Sequence, residues 1–421
     1  MHRYDLISCH DCGVLHQRRP VRPREKARCV RCRSVLYRGI HSNANRMAAI
    51  TMGAVFTFLI AQFFPIVQLE VGGYSTSATL LGAIHVLWTE QMQAVAVVVF
   101  LFTILLPAVE LASLLYVTLS LRAGRRPPGF DHLLRAVGLA RRWGMTEVLM
   151  IGILITIVKM TSLAEVIVQP GVFAFGVLTM MLAIVVSFDP KILWNIGEHL
   201  PGPGRVAQKT FSYTALAKAP LLACHSCGLV ESVKYTLRHQ YCARCGARLH
   251  RRHPDSVGRT WAFLLAAAIL YIPANLLPVM YTHSLFGQED DTIISGVVYF
   301  WTSGSPALAV IIFIASIVVP VLKLVALALL AWTAQRRSRW QPLQRTKLYR
   351  IVEFVGRWSM LDIFVITLTV ALVRFQSLAV ITAGPGALAF CAVVVLTMIA
   401  SMQFDPRLIW DPIDTHGEKH V

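Results

Sequence analysis

The chain has 421 residues, of which 56% are hydrophobic and only 15% are charged, and its mean hydropathy is +0.59. Soluble domains carry about 25% charged residues, so this composition excludes a disordered chain, a disulfide scaffold and an ordinary soluble enzyme. The net charge of +18 would suggest a nucleic-acid partner in a soluble protein. Here the basic residues follow the alternation of loops, so we expect a multi-pass membrane protein that binds no nucleic acid.

Eight apolar segments are long enough to cross a bilayer, which takes about 20 residues of helix. The sequence therefore predicts an all-α polytopic membrane protein with eight transmembrane helices in two sets of four. The predicted spans are 46–68, 92–121, 145–168 and 171–188, followed by 259–281, 305–333, 359–383 and 386–404.

The distribution of Lys and Arg predicts the orientation of these spans. The loops 69–91 and 282–304 contain neither residue, whereas the remaining connections are rich in both. Because loops rich in Lys and Arg stay on the cytoplasmic side, both termini and the linker 189–258 are predicted to be cytoplasmic.

The two sets of helices are copies of one another. Trp88-Thr89 matches Trp301-Thr302, and Phe188-Asp189-Pro190-Lys191 matches Phe404-Asp405-Pro406-Arg407. Four spans per copy is an even number, so the repeat is predicted to be parallel, about an axis normal to the membrane. The predicted domains are 1–45, 46–200, 201–258, 259–410 and a tail, 411–421.

Eight of the nine cysteines form four Cys-x-x-Cys pairs, with two pairs before each set of helices. Two such pairs can converge on one tetrahedral Zn²⁺, and four thiolates close its coordination shell, so the site would be structural. Glycine follows three of the pairs and permits a tight turn, whereas Arg33 follows the fourth. We predict two cytoplasmic zinc ribbons, with redox dithiols as the alternative; the ligands are Cys9, Cys12, Cys29, Cys32, Cys224, Cys227, Cys242 and Cys245.

Ionisable residues inside the apolar segments are costly there, and are paired, hydrated or functional. Glu110 and Lys159 have opposite charge and similar predicted depth, so they predict a structural ion pair. Their counterparts Lys323 and Arg374 are both cationic. They predict a polar cavity near the bilayer centre for an anionic lipid headgroup. The alternative is that both side chains snorkel, or that they bond carbonyls freed by Pro320.

Two further polar residues are candidates for contact with a substrate. Asn275 lies between Pro273 and Pro278, where the alternative role is a bond to backbone groups freed by proline. Asp362 begins a predicted span, where the alternative role is stabilisation of the positive helix N-terminus.

Long strings of the second copy resemble the paraquat-inducible protein A family, including its lipophilic envelope transport protein A branch. The strings are Pro273-Ala274-Asn275-Leu276-Leu277-Pro278, Val319-Pro320-Val321-Leu322-Lys323, Arg357-Trp358-Ser359-Met360-Leu361-Asp362 and Phe404-Asp405-Pro406-Arg407-Leu408-Ile409-Trp410-Asp411. The resemblance implies tetraspanin-like four-helix units in the inner membrane of a Gram-negative bacterium. It also implies a partner, an MCE-domain protein that forms a hydrophobic tube across the periplasm.

The resemblance implies a non-enzymatic transporter subunit that passes phospholipid between the inner membrane and the MCE tube. The lipid would pass Lys323, Arg374 and Asn275. The sequence has no GxxxxGK[ST] loop for ATP hydrolysis. A membrane redox protein that couples Cys-x-x-Cys dithiols to quinone, and an anchor for the tube that transports nothing, are the alternatives.

Overall fold

The computed structural model is mostly helical and consists of two halves whose described residues have the same order of elements, apart from an extra strand and a 3₁₀ turn in the second half. The predicted tail beyond residue 414 and the linker residues 201–220 lie outside the described residues. The structure describes residues 6–19, 21–22, 25–39, 44–71, 74–160, 165–188, 190–198, 200, 221–232, 240–284, 287–302, 304, 306–372, 374–375 and 379–414.

Two small ribbons of short antiparallel hairpins precede the halves. Ribbon 1 contains β1 (Leu6–Ser8), β2 (Leu15–Gln17), β3 (Lys26–Arg28) and β4 (Val35–Arg38), paired as β1–β2 and β3–β4.

Each half contains one sheet beside its helices. The first half contains α1 (Ala44–Phe63), β5 (Val67–Val71), β6 (Tyr74–Ala78), α2 (Leu80–Thr89), α3 (Gln93–Arg122), α4 (Phe130–Trp143), α5 (Thr146–Met160), β7 (Glu165–Val168), α6 (Pro170–Ser187) and α7 (Pro190–Glu198). Ribbon 2 follows, with β8 (Leu221–Ala223) paired to β9 (Val230–Ser232). The second half contains α8 (Ser256–Leu276), β10 (Met280–Ser284), β11 (Gly287–Asp291), α9 (Ile293–Thr302), α10 (Pro306–Phe313, Ile314–Val318 and Val319–Gln335), α11 (Pro342–Trp358), α12 (Leu361–Leu372), β12 (Arg374–Phe375), β13 (Ala379–Ala383) and α13 (Pro385–Gln403), then a short 3₁₀ turn (Pro406–Ile409) and α14 (Asp411–Asp414).

Six of the described helices are long and apolar enough to cross a membrane. The third predicted span of each half differs from the prediction, because α5 has 15 residues and α12 has only 12. The prediction of continuous helices over 145–168 and 359–383 is wrong, since the chain continues as strands after both helices. These strands are rich in Val and Ile, which favour extended backbone, and hydropathy alone does not separate an apolar strand from an apolar helix.

The strands that follow the short helices close an antiparallel sheet in each half. The sheet orders are β6-β5-β7 and β11-β10-β13-β12. Arg374 lies on β12, where its backbone pairs with Val380. The prediction that Arg374 lies deep in a helix is therefore wrong, because a depth counted at 1.5 Å per residue holds only for helical backbone.

The long helices α3 and α10 contain a wide π-helical turn at equivalent positions, Leu101–Leu105 and Ile314–Val318. Each turn ends two residues before the helix proline, Pro107 or Pro320. Proline has no N–H to donate to the carbonyl four residues earlier, so the regular helical pattern is interrupted there. Wide turns of this kind are frequent at functional sites.

The short helices α5 and α12 pack against each other and join the two halves. Gly152 lies in this contact, because a Cβ at that position would lie 3.2 Å from the Cβ of Phe364. One hydrophobic core includes buried residues from both halves, so the halves form a continuous body.

The repeated Pro-Gly pairs start α6 and α13 at a close backbone contact. The amides of Gly171 and Gly386 donate hydrogen bonds of 3.0 and 2.9 Å to the carbonyls of Pro65 and Pro278. A Cβ at Gly386 would lie 2.5 Å from the carbonyl oxygen of Leu277. These glycines are therefore required because the backbone of the preceding loop leaves no room for a side chain.

We expect Gly386→Ala to lower the free energy of unfolding by more than about 1 kcal/mol, because the new methyl group meets a backbone oxygen. Gly296→Ala is the matched control, since nothing lies within 4 Å of a Cβ there and alanine is the better helix former. Thermal unfolding of both variants in detergent measures the difference. Equal stability of Gly386→Ala and the wild type would contradict this account.

Candidate functional site

The four Cys-x-x-Cys turns share one backbone geometry. In each, the amide of the first cysteine donates to the carbonyl five residues later, as from Cys9 to Val14 at 2.9 Å. The residue after each pair has a positive φ, between 60° and 77°. Arg33 adopts this left-handed conformation with φ 60°, so the turn without glycine forms like the other three.

The thiols of each ribbon converge on one point. All four Sγ atoms of a ribbon lie within 4.8 Å of one another, and all eight cysteines are buried. The shortest Sγ–Sγ distances are 3.4 Å for Cys9–Cys32, 3.5 Å for Cys12–Cys29, and 3.6 Å for both Cys224–Cys245 and Cys227–Cys242. A tetrahedral ion with metal–sulfur bonds of about 2.3 Å separates its sulfurs by about 3.8 Å. Both groups of thiols could therefore hold a metal ion.

In the first cluster, hydrogen bonds favour the thiolate form of Cys9, whereas the hydrogen bond to Cys9 raises the pKa of Cys12 and burial raises that of Cys32. A hydrogen bond from Cys12 lowers the pKa of the Cys9 thiol to about 4. The hydroxyl of Ser34 lies 3.0 Å from Cys9 Sγ, and His16 Nε2 lies 3.2 Å from Cys29 Sγ. Such outer groups orient metal ligands and tune them.

Each ribbon packs against the half of the chain that it does not precede. The cysteines of ribbon 1 share a hydrophobic cluster with Tyr349 and Phe404 of the second half. The cysteines of ribbon 2 share a cluster with Leu114 and Phe130 of the first half. The ribbons therefore cross over, which the order of domains along the chain did not suggest.

An arginine–tryptophan contact recurs at both crossed interfaces. The guanidinium of Arg31 lies 4.5 Å from the ring centroid of Trp410, and that of Arg244 lies 5.8 Å from the ring of Trp194. Both arginines occupy the same place in the second Cys-x-x-Cys pair of their ribbon. Both tryptophans follow the repeated Phe-Asp-Pro string. The contact therefore explains why an arginine recurs in the second Cys-x-x-Cys pair and a tryptophan recurs after that string.

An ion pair adds to the contact of ribbon 1 with the second half. Arg350 lies 2.7 Å from the carboxylate of Asp11 and donates to the carbonyl of Cys32 at 3.0 Å. Burial acts to raise the pKa of Asp11, but the hydrogen bond from His10 and the charge of Arg350 outweigh it and keep this pKa below its usual value. Sequence reasoning missed Arg350, because nothing in a basic segment indicates a partner 339 residues away.

In the first half, the buried acid inside α3 has a cationic partner. Glu110 is 4% exposed, and its Oε1 accepts a hydrogen bond of 2.8 Å from Arg141 Nε. Arg141 also donates to the carbonyls of Phe188 and Val185. The side chain of Lys159 lies outside the described residues, so the Glu110–Lys159 pair stays a prediction.

In the second half, the equivalent position carries a buried cation. Lys323 is 2% exposed, and its Nζ has no hydrogen-bond partner among the described residues. The counterpart of Arg141 in the repeat is Gly356, where a Cβ would lie 3.6 Å from Lys323 Nζ. The glycine therefore leaves the space that the lysine side chain fills.

The wide turn of α10 connects Lys323 with Asp362. The hydroxyl of Ser316 donates a hydrogen bond of 2.6 Å to Asp362 Oδ2. Ser316 precedes Lys323 by seven residues along α10. Asp362 of α12 is therefore bonded to the helix that carries Lys323, roughly two turns away from the lysine.

The remaining predicted residues occupy different surroundings. The side-chain amide of Asn275 donates to the carbonyl of Tyr271 at 2.8 Å, and the Tyr271 hydroxyl donates to the carbonyl of Ile317 in the wide turn. The side chain of Arg374 lies outside the described residues. Gln62, the counterpart of Asn275, is buried, and its amide atoms have no partner within the described ranges.

Comparison with known proteins gives a consistent result over nearly the whole chain. The family model of paraquat-inducible protein A matches residues 44–197 and 257–414. The intermembrane transport protein PqiA of Escherichia coli is 32% identical over 421 residues, which cover 99% of each chain. The lipophilic envelope-spanning tunnel protein A of Escherichia coli is 29% identical over 413 residues, covering 97% of this chain and 92% of the relative. A probable intermembrane transport protein of Haemophilus influenzae is 29% identical over 98% of this chain and 97% of its own. No solved structure matches the chain.

The two thiol clusters give a prediction for metal content. We expect Cys12→Ser to lower the bound metal by about one equivalent per chain, because it removes one of four ligands from a closed shell. Cys391→Ala is the control, since Cys391 is buried in α13 outside both clusters. Elemental analysis of the purified full chain measures the content. Unchanged metal in Cys12→Ser would contradict a four-thiolate site.

The crossed interface gives a prediction for stability. We expect Asp11→Asn and Arg350→Gln each to lower the free energy of unfolding by about 1–2 kcal/mol, because each removes a charged hydrogen bond. The double variant should lose less than the sum, because both changes remove the same contact. Thermal unfolding of the four proteins measures the coupling. Strict additivity would show that Asp11 and Arg350 do not act together.

Proposed function

We propose, since this chain belongs to the paraquat-inducible protein A family, that it is a membrane-embedded transporter subunit that carries phospholipid and is not an enzyme. The observation that carries the proposal is the buried Nζ of Lys323 inside an apolar body, which has no hydrogen-bond partner in the part of the chain that the structure describes. The relatives that are named for intermembrane transport or an envelope-spanning tunnel support a transport role.

A buried charge without a partner costs a few kcal/mol in a membrane. An anionic ligand that contacted Lys323 would offset that cost. A phosphate group suits the site, because lysine binds phosphate as a point charge. At the equivalent position of the first half, Arg141 pairs with Glu110, so the described residues place no unpartnered cation there. The second half is therefore the half that would hold the lipid.

The proposed route follows α10 from Lys323 toward the sheet of the second half. Asp362 is bonded to the wide turn of α10, and Asn275 is connected to the same turn through Tyr271. Arg374 lies on β12 at the far end. Phospholipid would pass these residues between the inner membrane and the tube of an MCE-domain partner in the periplasm.

The proposed topology has eight crossings in the bacterial inner membrane and two parallel, tetraspanin-like repeats. The short helices α5 and α12 would each complete a crossing together with the strands that follow them. The absence of Lys and Arg from the loops 69–91 and 282–304 supports cytoplasmic termini. The ribbons then lie in the cytoplasm, before transmembrane units at 46–200 and 259–410.

We propose that each thiol cluster binds one structural Zn²⁺. Four thiolates at these separations match its preferred ligands and geometry, and they leave no open position for catalysis. The metal-bound ribbons would then stabilise the cytoplasmic face of the protein. The same clustering argues against the redox alternative, because a dithiol that exchanges electrons needs a pair of thiols and not a closed group of four.

Lipid capture separates a transporter from an anchor that only holds the tube. A photo-reactive amino acid in place of Asn275 should trap phospholipid in cells, and mass spectrometry of the product identifies it. We expect Lys323→Met to lower the captured lipid by about tenfold, equivalent to about 1.4 kcal/mol.

Lys347→Met is the matched control, since Lys347 is exposed on α11. Loss of a buried unpaired charge should leave Lys323→Met at least as stable as the wild type, so reduced capture would not reflect unfolding. Full capture by Lys323→Met would contradict a role for the ammonium, and no capture by any protein would favour the anchor.

A further inference from the structure

A cavity of about 80 Å³ lies between the two halves, at the level where α4 and α11 end and α5 begins. This volume has room for about three water molecules. The first half contributes most of the wall, and the second half contributes only the last turn of α11, through Phe354, Arg357 and Trp358. A ligand in this cavity would therefore contact both halves.

The ion pair of the first half lies in the wall of this cavity and is satisfied within the protein. Glu110 and Arg141 both line it, and they are bonded to each other at 2.8 Å. Their side chains are mostly buried, so this part of the wall carries no net charge.

Two exposed side chains of opposite charge also line the cavity. Glu147 lies in the first turn of α5, and Arg357 lies in the last turn of α11. Within the described residues, neither has an ion pair or a hydrogen bond. Each complements the dipole of its own helix, so both charges persist without a side-chain partner. Among the described residues that line it, the cavity therefore presents one free anion and one free cation.

Two aromatic rings form the outer edge of the cavity on α11. Phe354 is 56% exposed and Trp358 is 37% exposed, and their ring centroids lie 6.1 Å apart. Exposed aromatic rings beside charged groups are typical of the membrane–water interface. A ligand with an apolar part next to its charges suits this edge better than a small soluble ion does.

We propose that this cavity binds the headgroup of a zwitterionic phospholipid. Arg357 contacts the phosphate, Glu147 contacts the amine, and the acyl chains leave past Phe354 and Trp358. The inference rests on the proposed function and adds a lipid class and a second site to it. A purely anionic lipid suits the site less well, because its headgroup would leave Glu147 unpaired.

The two charges that line the cavity come from different halves, so the site is asymmetric. Glu147 and Arg357 belong to equivalent strings, Arg142-Trp143-Gly144-Met145-Thr146-Glu147 and Arg357-Trp358-Ser359-Met360-Leu361-Asp362. Their counterparts are Asp362, which is bonded to Ser316, and Arg142. Neither counterpart lines this cavity.

The test uses the full chain in nanodiscs of equal parts phosphatidylethanolamine and phosphatidylglycerol. A photo-reactive amino acid replaces Phe354, and mass spectrometry identifies the trapped lipid. We expect at least about threefold enrichment of phosphatidylethanolamine, a factor equivalent to about 0.7 kcal/mol.

Glu147→Gln should remove the preference for phosphatidylethanolamine and shift capture toward phosphatidylglycerol. Arg357→Gln should lower total capture about tenfold. Glu353→Gln and Arg142→Gln are exposed controls outside the cavity and should change neither quantity.

Equal capture of both lipids by the wild type, or an unchanged ratio in Glu147→Gln, would overturn the inference. Displacement of the lipid by equimolar soluble phosphoethanolamine would assign the site to a free headgroup and overturn the lipid assignment. Capture at position 275 distinguishes the two proposals. Lipid trapped at 275 but not at 354 would refute only this inference, whereas absence of lipid from both would refute the transport function as well.

Discussion

The folding of the two ribbons depends on one contact: each ribbon packs against the half of the chain that it does not precede. A ribbon of about 40 residues buries too little apolar surface to fold without a metal or a supporting surface. Here that surface belongs to the half that the ribbon does not precede, and it includes Trp410 for ribbon 1 and Trp194 for ribbon 2. The halves are thus joined by both ribbons, and within the body by α5 and α12.

The two halves have one architecture but different buried charges. In the first half, Arg141 neutralises Glu110 and bonds the carbonyls at the end of α6. In the second half, Gly356 replaces the arginine, and Lys323 fills the space with an ammonium that has no partner among the residues the structure describes. A paired charge holds helices together, whereas an unpaired one favours a ligand of opposite charge. The proposed lipid site follows from this difference.

Much of the local structure could be predicted from residue types whose effects are short-range. The Cys-x-x-Cys spacing predicted the turns, and Arg33 adopts the left-handed backbone that glycine adopts in the other three. The helix prolines indicated where α3 and α10 are interrupted. The predicted depth of Arg374 in a helix was wrong, because a run of apolar residues has the same hydropathy in a strand as in a helix.

The sequence by itself determined the class of protein, the apolar segments, the two groups of thiols and the buried charges of Glu110 and Lys323. These follow from composition and spacing, which act within a few residues or along one helix. Only the tertiary structure decided that each ribbon lies against the opposite half, that Arg141 is the partner of Glu110, and that Glu147 and Arg357 line one cavity. Those contacts join residues that are 31 to more than 300 positions apart, and no local pattern specifies which distant surfaces meet.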